Sequence, residues 1–404
     1  MNVLFLTLVS FDTVQAREIY TDLLREFIKD GHEVYSISPV EKHEEKETYL
    51  IREDYATILR IQIGDIQKTS TIKKGINTVL IGQTFKKAIK TYFSDVKFDL
   101  VLYSTPPITL APAIEYVKTR DGARTYLLLK DIFPQNAVDL GMLSTHGVKG
   151  LLYKYFRRQE KRLYAISDRI GCMSPANVKY VIDHNPEVDP AKVEVCPNSI
   201  EVIDKSVDEE TRTAIRNKYG IPLDKRVFVY GGNLGKPQGI PFLIECLREC
   251  EGIGGAFFLI VGDGTEFHLI NDYVERESPK NVKLMRRLPK EDYDTLVAAC
   301  DVGMIFLDHR FTIPNFPSRL LSYMQAKLPV FACTDPNTDI GQVIVDGEFG
   351  WWVESDETLK FRNKIGEIIH NDSIEIKSKQ SFNYLVDSYD IKDVYSVIYG
   401  NGMR

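Results

Sequence analysis

Three loops in the second half of the sequence have residue types suited to binding a phosphorylated ligand. They read GGNLGKPQG over 231–239, GDG over 262–264 and NFPSRLLSYM over 315–324. Glycine lets the backbone approach a ligand closely, and the free amides at a helix start attract phosphate. The loops therefore indicate an anion-binding site, although the first is also compatible with an ordinary strand–helix turn.

Two basic residues in these loops, Lys236 and Arg319, could neutralise phosphate charge. Ser318 is predicted to cap a helix and to place Arg319 in its first turn. A cation there opposes the helix dipole, which is favourable only if an anion lies nearby. The alternative for Arg319 is a surface arginine without a ligand.

Metal-dependent chemistry is not indicated by the acidic residues. The only Asp-x-Asp pair, Asp292 and Asp294, falls in a segment with the pattern of a helix start. We interpret both as acids of the first helical turn rather than as metal ligands. We therefore expect no metal and no cofactor.

The elements that must position these loops alternate between strands and helices in two series. Short apolar runs predict six strands in the first series, at 2–9, 33–37, 99–104, 125–129, 169–173 and 193–196. A second series predicts six more, at 226–230, 256–261, 282–285, 302–307, 329–333 and 350–353. Such strands, separated by amphipathic helices, predict parallel sheets that are covered on both faces.

We therefore predict an α/β protein of two Rossmann-like domains that face each other across a cleft. The first domain would span 1–200 and the second 201–379. Ligands of such sheets bind beyond the carboxyl ends of the strands. The amphipathic segment 380–404 is expected to cross back onto the first domain.

Composition limits the classes of function. The chain has 404 residues and a formal net charge of -6, which argues against a nucleic-acid partner. No apolar run approaches the roughly 18 residues of a membrane span, and the apolar opening is too short for a signal peptide. The six cysteines are scattered, which favours buried, reduced thiols and a cytoplasmic location.

The ordered loops resemble the donor domain of retaining glycosyltransferases with the GT-B fold. GNLG at 232–235, GDG at 262–264, PSRLLSYM at 317–324 and DGEFG at 346–350 carry the resemblance. It extends over almost the whole chain through DIFP at 131–134 and PNS at 197–199. The family includes bacterial capsule, exopolysaccharide and O-antigen enzymes, and the branch most similar to this chain is typified by bacterial N-acetylfucosamine transferases.

The resemblance implies a metal-independent, retaining hexosyltransferase. Its donor would be a nucleotide-diphosphate sugar, a UDP-linked N-acetylhexosamine or deoxyhexosamine, and its acceptor a lipid-linked or saccharide chain in surface polysaccharide biosynthesis. Lys236 and Arg319 would act in catalysis on the departing nucleotide, while Arg287 and Leu288 would contact the base. The implied donor-binding residues are Gly232, Asn233, Gly235, Lys236, Gln238, Asp263, Arg287, Leu288, Pro317, Ser318, Arg319 and Ser322.

Asp131 is the candidate catalytic residue of the first domain. It follows the predicted strand 125–129 and matches an Asp-x-x-Pro motif of the branch. A carboxylate at this position could orient or deprotonate the acceptor hydroxyl. The alternative is a helix cap or an ordinary loop acid.

The chain departs from the family pattern at two pairs of positions. The family's paired glutamates, eight positions apart, would fall on Pro314 and Ser322, and its arginine–lysine pair would fall on Asn233 and Gln238. None of these four residues is charged. The missing glutamates leave open a catalytically degenerate nucleotide-sugar-binding partner subunit. A sugar-nucleotide epimerase on the same fold is a further alternative, although the donor loops offer few carboxylates or histidines.

Two basic amphipathic segments of the first domain suggest an acceptor or membrane face. One reads KGLLYKYFRRQEKRLY over 149–164, and the other, 71–93, contains five lysines. Such faces suit an anionic membrane and a lipid-diphosphate acceptor, although solvated helix surfaces have the same pattern. We expect a peripheral position on the inner face of the cytoplasmic membrane. The residues assigned to this face are Gln15, Lys86, Lys87, Arg157, Arg158 and Lys161.

Overall fold

The structure is a computed structural model that describes residues 1–65 and 71–402, with side chains described for all of these except 71–76 and 401–402. The chain divides into two compact units. The first consists of Met1–Glu201 with Asp390–Arg404, and the second of Val202–Tyr389. Residues 380–389, which we expected with the first domain, therefore belong to the second unit.

The first unit contains one sheet of eight strands. The strands are β1 (Asn2–Leu6), β2 (Glu33–Glu41), β3 (Tyr49–Glu53), β4 (Ala56–Ile63), β5 (Leu100–Ser104), β6 (Arg124–Leu129), β7 (Arg169–Cys172) and β8 (Val193–Val195). They lie in the order β3-β4-β2-β1-β5-β6-β7-β8. Only β3 runs antiparallel to its neighbour in the described sheet.

The hairpin of β3 and β4 is the part of this sheet that the sequence analysis missed. β3 is an edge strand of half-buried and exposed residues, so it lacks the continuous apolar run of a strand buried on both faces. Tyr55 turns the chain between the two strands with a φ of 60°. The sequence analysis missed β3 because it is a partly exposed edge. It also missed the largely buried β4, in which the polar residues Arg60 and Gln62 interrupt the apolar run.

The second unit contains a parallel sheet of six strands, all of which the sequence predicted. The strands are β9 (Arg226–Asn233), β10 (Ala256–Asp263), β11 (Val282–Met285), β12 (Val302–Phe306), β13 (Val330–Thr334) and β14 (Gly350–Glu354). Their order is β11-β10-β9-β12-β13-β14. β9 and β10 extend beyond their predicted ends into the first two glycine loops.

Helices cover both sheets. Those in the first unit are α1 (Ile19–Lys29), α2 (Thr71–Tyr92), α3 (Ala111–Asp121), α4 (Gln135–Asp139), α5 (Gly147–Ile166) and α6 (Pro175–His184). Those in the second are α7 (Glu209–Tyr219), α8 (Ile240–Glu249), α9 (Phe267–Glu277), α10 (Lys290–Ala298), α11 (Arg319–Gln325), α12 (Ile340–Asp346), α13 (Thr358–Ile369) and α14 (Ile374–Ser388). The last helix, α15 (Ile391–Gly402), returns to the first unit. Within the described residues, none of the helices is both long and apolar enough to span a bilayer.

Cores cover both faces of the first sheet. Successive side chains of its central strand point to opposite faces, so neighbouring residues enter different cores. Leu4 of β1 packs into a core that includes Ile114 of α3. Its neighbour Phe5 packs into a separate core that includes Leu24 of α1 and Ile398 of α15. All six cysteines of the chain are buried and unpaired, as expected.

The C-terminal segment consists of two helices rather than the single helix predicted from 380. α14 ends at Ser388 and packs against α11 of the second unit. α15 lies against α1, where the rings of Tyr395 and Phe27 make an edge contact with 4.8 Å between centroids. The predicted return to the first unit is confirmed, but it begins at Asp390, which bridges to Ile200.

Candidate functional site

Neighbouring strands bring the glycine loops together at one edge of the second unit. β9 is flanked by β10 and β12. Gly232 is in register with Gly262, and Asn233 with Asp263. The GGN and GDG loops therefore lie side by side beyond the carboxyl ends of their strands, where ligands of such sheets bind.

Two glycines are required because these loops pack closely on each other. A Cβ on Gly262 would lie 1.9 Å from the carbonyl oxygen of Gly232. Gly232 itself has a φ of 119°, which other residues rarely adopt. The sequence indicated a close approach of the backbone to a ligand. At this pair of glycines the close approach is instead between the two loops, and Gly232 is exposed at the sheet edge.

The first glycine loop is held by the side chain of Gln238. Its Oε1 accepts hydrogen bonds from Asn233 Nδ2 at 3.0 Å and from the Gly235 amide at 3.2 Å. These two neutral side chains therefore organise the loop. Lys236 is exposed in the short 3-10 turn before α8, and it forms no ion pair with any described residue. Its ammonium group is available to an anionic ligand.

Arg319 lies beside this loop with an unpaired charge. Its guanidinium carbon is 4.4 Å from the centroid of the Tyr230 ring, and a Cβ on Gly232 would lie 3.7 Å from the same carbon. Nη1 of Arg319 is buried and has no hydrogen-bond partner. In the part of the chain that the structure describes, no carboxylate pairs with it. A guanidinium is always charged, and a buried charge without a partner is costly.

Three tyrosines surround this guanidinium without neutralising it. Tyr323 Oη accepts a hydrogen bond from the Gly231 amide at 3.1 Å. Tyr293 packs so closely that a Cβ on Gly231 would lie 1.7 Å from its Oη. Burial raises the pKa of Tyr230, Tyr293 and Tyr323. All three are neutral phenols at physiological pH, so the positive charge remains for a ligand to compensate.

Ser318 does not cap α11, contrary to the prediction. Its backbone is already helical, with φ of −65° and ψ of −17°, and its side chain makes no capping hydrogen bond. A capping side chain requires a more extended backbone to reach over the first turn. Arg319 is still the first residue of α11, and Ser322 lies one turn later on the same face. The arginine charge, rather than a capped helix end, is therefore the feature here that could attract an anion.

Arg287 and Leu288, for which base binding stays a prediction, follow β11, and Arg287 is exposed. The sequence analysis passed over the neighbouring Arg286. Its guanidinium carbon lies 3.6 Å from the centroid of the Phe267 ring, and its Nη1 lies 3.1 Å from Asp263 Oδ1. Asp263 is thus engaged by an arginine. The signal that could have indicated this was the Arg-Arg pair directly after a strand.

A buried carboxylate after β13 holds the segment that leads into α11. Asp335 Oδ1 accepts the amides of Asn337 at 2.9 Å and of Thr338 at 3.1 Å. Asn337 Nδ2 donates to the carbonyl of Phe311 at 2.5 Å, and Thr338 Oγ1 to that of Asn315 at 2.6 Å. The sequence analysis missed this network, whose only signal is a run of polar residues between a strand and a helix.

Replacing Asp335 by asparagine is expected to change how stability depends on pH. Burial raises the pKa of Asp335 to about 6, above the unfolded value of about 4. The wild-type protein therefore loses stability as pH rises from about 4 through about 6, because the charged form is disfavoured in the folded state. Asp335→Asn should gain in melting temperature relative to wild type over this interval and remain level above it.

Melting curves from pH 4 to pH 8 measure this effect, with the exposed Asp387→Asn as the matched control. A difference between Asp335→Asn and wild type that stays constant with pH would contradict the buried carboxylate.

Asp131 lies at the carboxyl end of β6 in the first unit. Nδ2 of Asn136 lies 2.7 and 2.8 Å from its two carboxylate oxygens. Burial raises the pKa of Asp131 to about 6. The following helix, α4, has Pro134 at its N-cap position, so Asp131 is not a helix cap. A carboxylate with a raised pKa could accept a proton, but the buried Asp335 has a similarly raised pKa, so the catalytic interpretation of Asp131 stays a prediction.

The Asp-x-Asp carboxylates lie in α10, where lysines engage them. Asp294 is 2.7 Å from Lys205 and 3.0 Å from Lys290, and Asp292 is 3.9 Å from Lys218. Among the described residues, one group of side chains could together hold a metal ion: Glu41, His43 and Asp65. This group belongs to the first unit and lies outside the glycine loops and the segment 315–324.

The basic face predicted on α5 is only partly available, which corrects the sequence analysis. Arg157 pairs with Glu160 at 2.5 Å, and Lys161 pairs with Glu187 at 2.9 Å. Sequence periodicity gives the helix face of a cation but not its acidic partner. Of the three assigned residues on this helix, Arg158 is exposed and forms no ion pair with a described residue.

The other assigned residues of this face lie apart from α5. On α2, Lys87 is exposed, whereas the ammonium of Lys86 lies 5.6 Å from the centroid of the Tyr116 ring. Gln15 is exposed in the loop before α1. The assigned residues therefore do not share one helix surface. The basic segment 71–93 has two further lysines, Lys73 and Lys74, which lie outside the residues whose side chains are described.

Two family models match the chain. The model for "Glycosyl transferases group 1" matches residues 211–384, and the model for "Glycosyltransferase Family 4" matches residues 19–202. The first match contains the glycine loops and Arg319, and the second contains Asp131. Each candidate site residue outside the loop at Gln15 therefore lies in a segment that a glycosyltransferase model describes.

Individual proteins are similar to this chain as well. The probable glycosyltransferase WbjE of Pseudomonas aeruginosa is 24% identical over 311 residues, covering 76% of this chain and 74% of WbjE. The putative colanic acid biosynthesis glycosyl transferase WcaI of Escherichia coli is 22% identical over 304 residues, covering 73% of this chain and 72% of WcaI. The structure of Anabaena HepE in complex with UDP has a TM-score of 0.68 at 14% identity and covers 99% of both chains, which shows a shared fold.

Two Rossmann-like α/β units of this kind are typical of the GT-B class of glycosyltransferases. The second unit thus matches the model for glycosyl transferases of group 1 and the first unit the model for glycosyltransferase family 4, so each unit is similar to a glycosyltransferase domain.

Proposed function

We propose that the chain transfers a sugar from a nucleotide-diphosphate donor, a UDP-sugar, to an acceptor in surface polysaccharide biosynthesis. The observation that carries this proposal is the unpaired guanidinium of Arg319, with its buried Nη1, beside the exposed backbone of Gly232. A diphosphate would compensate this charge and that of Lys236. The name of WcaI, which refers to colanic acid, and the UDP bound to HepE support the pathway and the nucleotide.

The proposed chemistry follows from where charge develops. When the bond between the anomeric carbon and the diphosphate breaks, negative charge grows on the leaving oxygen and positive charge on the sugar ring. Arg319 and Lys236 would stabilise the departing UDP, and Asp131 would accept the proton of the acceptor hydroxyl. The donor motifs resemble those of retaining enzymes, so we propose that the new bond keeps the anomeric configuration of the donor.

The donor sugar and acceptor are proposed on the same resemblance. We propose an N-acetylhexosamine or deoxyhexosamine as the sugar, and a lipid-linked or saccharide acceptor of a capsule, exopolysaccharide or O-antigen at the inner face of the cytoplasmic membrane. Ser322 would contact the ribose in place of the glutamate of the family. Because serine is shorter and neutral, this contact would be weaker than that of a carboxylate.

Turnover is expected to survive metal chelation. Two cations serve the diphosphate, and the Asp-x-Asp carboxylates already pair with lysines. The rate of UDP release should therefore be the same with and without millimolar EDTA. Loss of activity in EDTA that manganese or magnesium restores would contradict a metal-free mechanism.

A nucleotide-sugar-binding partner subunit without activity is the second candidate, and the neutral residues at 314 and 322 favour it. An epimerase on the same fold is a weaker alternative, since few of the donor-loop residues could exchange protons with a sugar.

Thermal melting with a panel of nucleotide sugars tests the donor site, because a ligand that binds only the folded state raises the melting temperature. UDP and at least one UDP-sugar should raise it. A panel in which no nucleotide diphosphate has an effect would contradict the proposal.

A further inference from the structure

The first half of α5 presents an apolar stripe to solvent. Val148, Leu151 and Leu152 are 86%, 69% and 41% exposed, and Tyr155 follows at the same helical spacing. Positions i, i+3, i+4 and i+7 lie on one face of a helix. Val148 and Leu151 are the two most exposed large apolar side chains among the described residues. Met142, in the loop before the helix, is 50% exposed.

This stripe is not the face by which α5 joins the fold. Phe156 and Leu163 of the helix are buried, and α5 packs against α3 within the first unit. The helix therefore has two apolar faces, one packed in the core and one whose Val148 and Leu151 are largely exposed. Exposed apolar side chains that cluster in this way mark interaction sites on soluble surfaces.

Unpaired cations surround the stripe. Lys149, Lys154 and Arg158 are exposed, and none of them forms an ion pair with a described residue. No acidic residue occurs between positions 140 and 159. Within the same stretch Arg157 pairs with Glu160, and beyond it Lys161 pairs with Glu187. Apolar side chains and free positive charge thus coincide on one half of α5.

We propose that this surface, formed by Met142 and the Val148–Arg158 half of α5, docks on an anionic lipid bilayer. An apolar stripe flanked by cations is the pattern of helices that lie in the membrane interface. The apolar side chains would enter the boundary between headgroups and acyl chains, while the three cations would meet anionic headgroups. The inference rests on the proposed function only in placing a lipid-linked acceptor at the membrane, since the binding itself needs no activity.

A second copy of the chain fits this surface less well. In a two-fold dimer the same patch meets itself, so the three unpaired cations of each copy would face those of the other. A stable dimer also buries about 800 Å² on each partner, more than four or five side chains supply. An anionic bilayer satisfies both the apolar stripe and the charge.

Cosedimentation with vesicles tests the proposal. Wild-type protein should bind phosphatidylcholine vesicles that contain about 30% phosphatidylglycerol at low salt and leave them above physiological ionic strength, where the screening length falls below about 8 Å. Charge reversal at the three cations should lower the partition coefficient by about a hundredfold. A matched variant reverses three exposed lysines elsewhere that have no described acidic partner and should bind nearly as wild type does: Lys46→Glu, Lys280→Glu and Lys379→Glu.

The apolar contribution is tested separately. Val148→Asn, Leu151→Asn and Leu152→Asn combined should lower partitioning by about tenfold or more. The matched control changes three exposed apolar residues of the second unit and should have little effect: Leu223→Asn, Leu359→Asn and Ile376→Asn. Both native tryptophans lie in β14, so Leu151→Trp adds a probe that lipids with brominated acyl chains should quench, whereas Leu223→Trp should not be quenched.

Several results would overturn the proposal. They are failure of wild-type protein to bind anionic vesicles at low salt, equal loss of binding in the matched controls, or no quenching of the tryptophan at position 151. A stable dimer in sedimentation velocity that the asparagine variants dissociate would assign the surface to a second copy of the chain. Nucleotide binding is measured without vesicles. Failure of the protein to bind nucleotides would therefore count against the proposed function but not against the membrane-docking proposal.

Discussion

Arg319→Ala is expected to weaken UDP binding by about tenfold to a hundredfold, because a charge-assisted contact to phosphate contributes about 1.5–3 kcal/mol. The guanidinium lies beside Gly232, has a buried nitrogen without a partner and is surrounded by neutral tyrosines. Isothermal titration calorimetry with UDP measures the effect. The matched control is Arg248→Ala, an arginine that also lies over a tyrosine ring but pairs with Glu277.

The same variant separates a ligand-binding role from a structural one. Because the charge of Arg319 is uncompensated without ligand, its removal should leave the melting temperature of the free protein unchanged or slightly raised. The increase that UDP causes should be largely lost. Arg319→Lys should fall between alanine and wild type, since an ammonium keeps the charge but not the forked geometry. Unchanged UDP affinity in Arg319→Ala would remove this residue from the donor site.

Asp131→Asn is expected to lower turnover by about a hundredfold to ten-thousandfold, the range typical of a lost general base. UDP affinity should be unchanged, because the donor loops lie in the other unit. The wild-type rate should fall as pH drops through about 6, since a protonated Asp131 cannot accept a proton, and the variant should lack this acid limb. UDP release with bacterial membrane lipids as acceptor measures both effects, with Asp139→Asn as the control.

Asn136 provides an independent test of the same assignment. Its amide hydrogen-bonds both carboxylate oxygens and lowers the pKa of Asp131 against the larger effect of burial. Asn136→Ala should therefore move the acid limb to higher pH while activity at high pH is largely retained. If Asp131→Asn keeps full turnover, or if the limb does not move in Asn136→Ala, Asp131 is not the base.

Much of the fold could be predicted because its strands are short, apolar and buried. All six strands of the second unit and six of the eight in the first appear as apolar runs. β3 could not be found in this way because edge residues such as Tyr49 are only half buried, and β4 was missed because the polar residues Arg60 and Gln62 interrupt its apolar run. The break between α14 and α15 was also missed, since both helices keep an apolar face across it.

The sequence could predict the parts of the candidate site that lie within one loop. It could not predict contacts between residues that are far apart in the sequence. The glycine loop and Arg319 stand out locally, but Tyr230, Tyr293 and Tyr323 come together only through the fold. The same limit explains the basic face of α5. Helical periodicity placed Arg157 on the surface, but the chain pairs it with Glu160.

Simultaneous measurement of UDP release and sugar incorporation tests the central claim most directly. The protein would be incubated with a labelled UDP-sugar, selected by thermal melting, and bacterial membrane lipids in EDTA. The account predicts that UDP appears in step with label in the lipid-linked product, and that both fall together in Asp131→Asn. Binding of the UDP-sugar without UDP release from any acceptor would contradict it and favour a partner subunit, and an altered UDP-sugar without release would favour an epimerase.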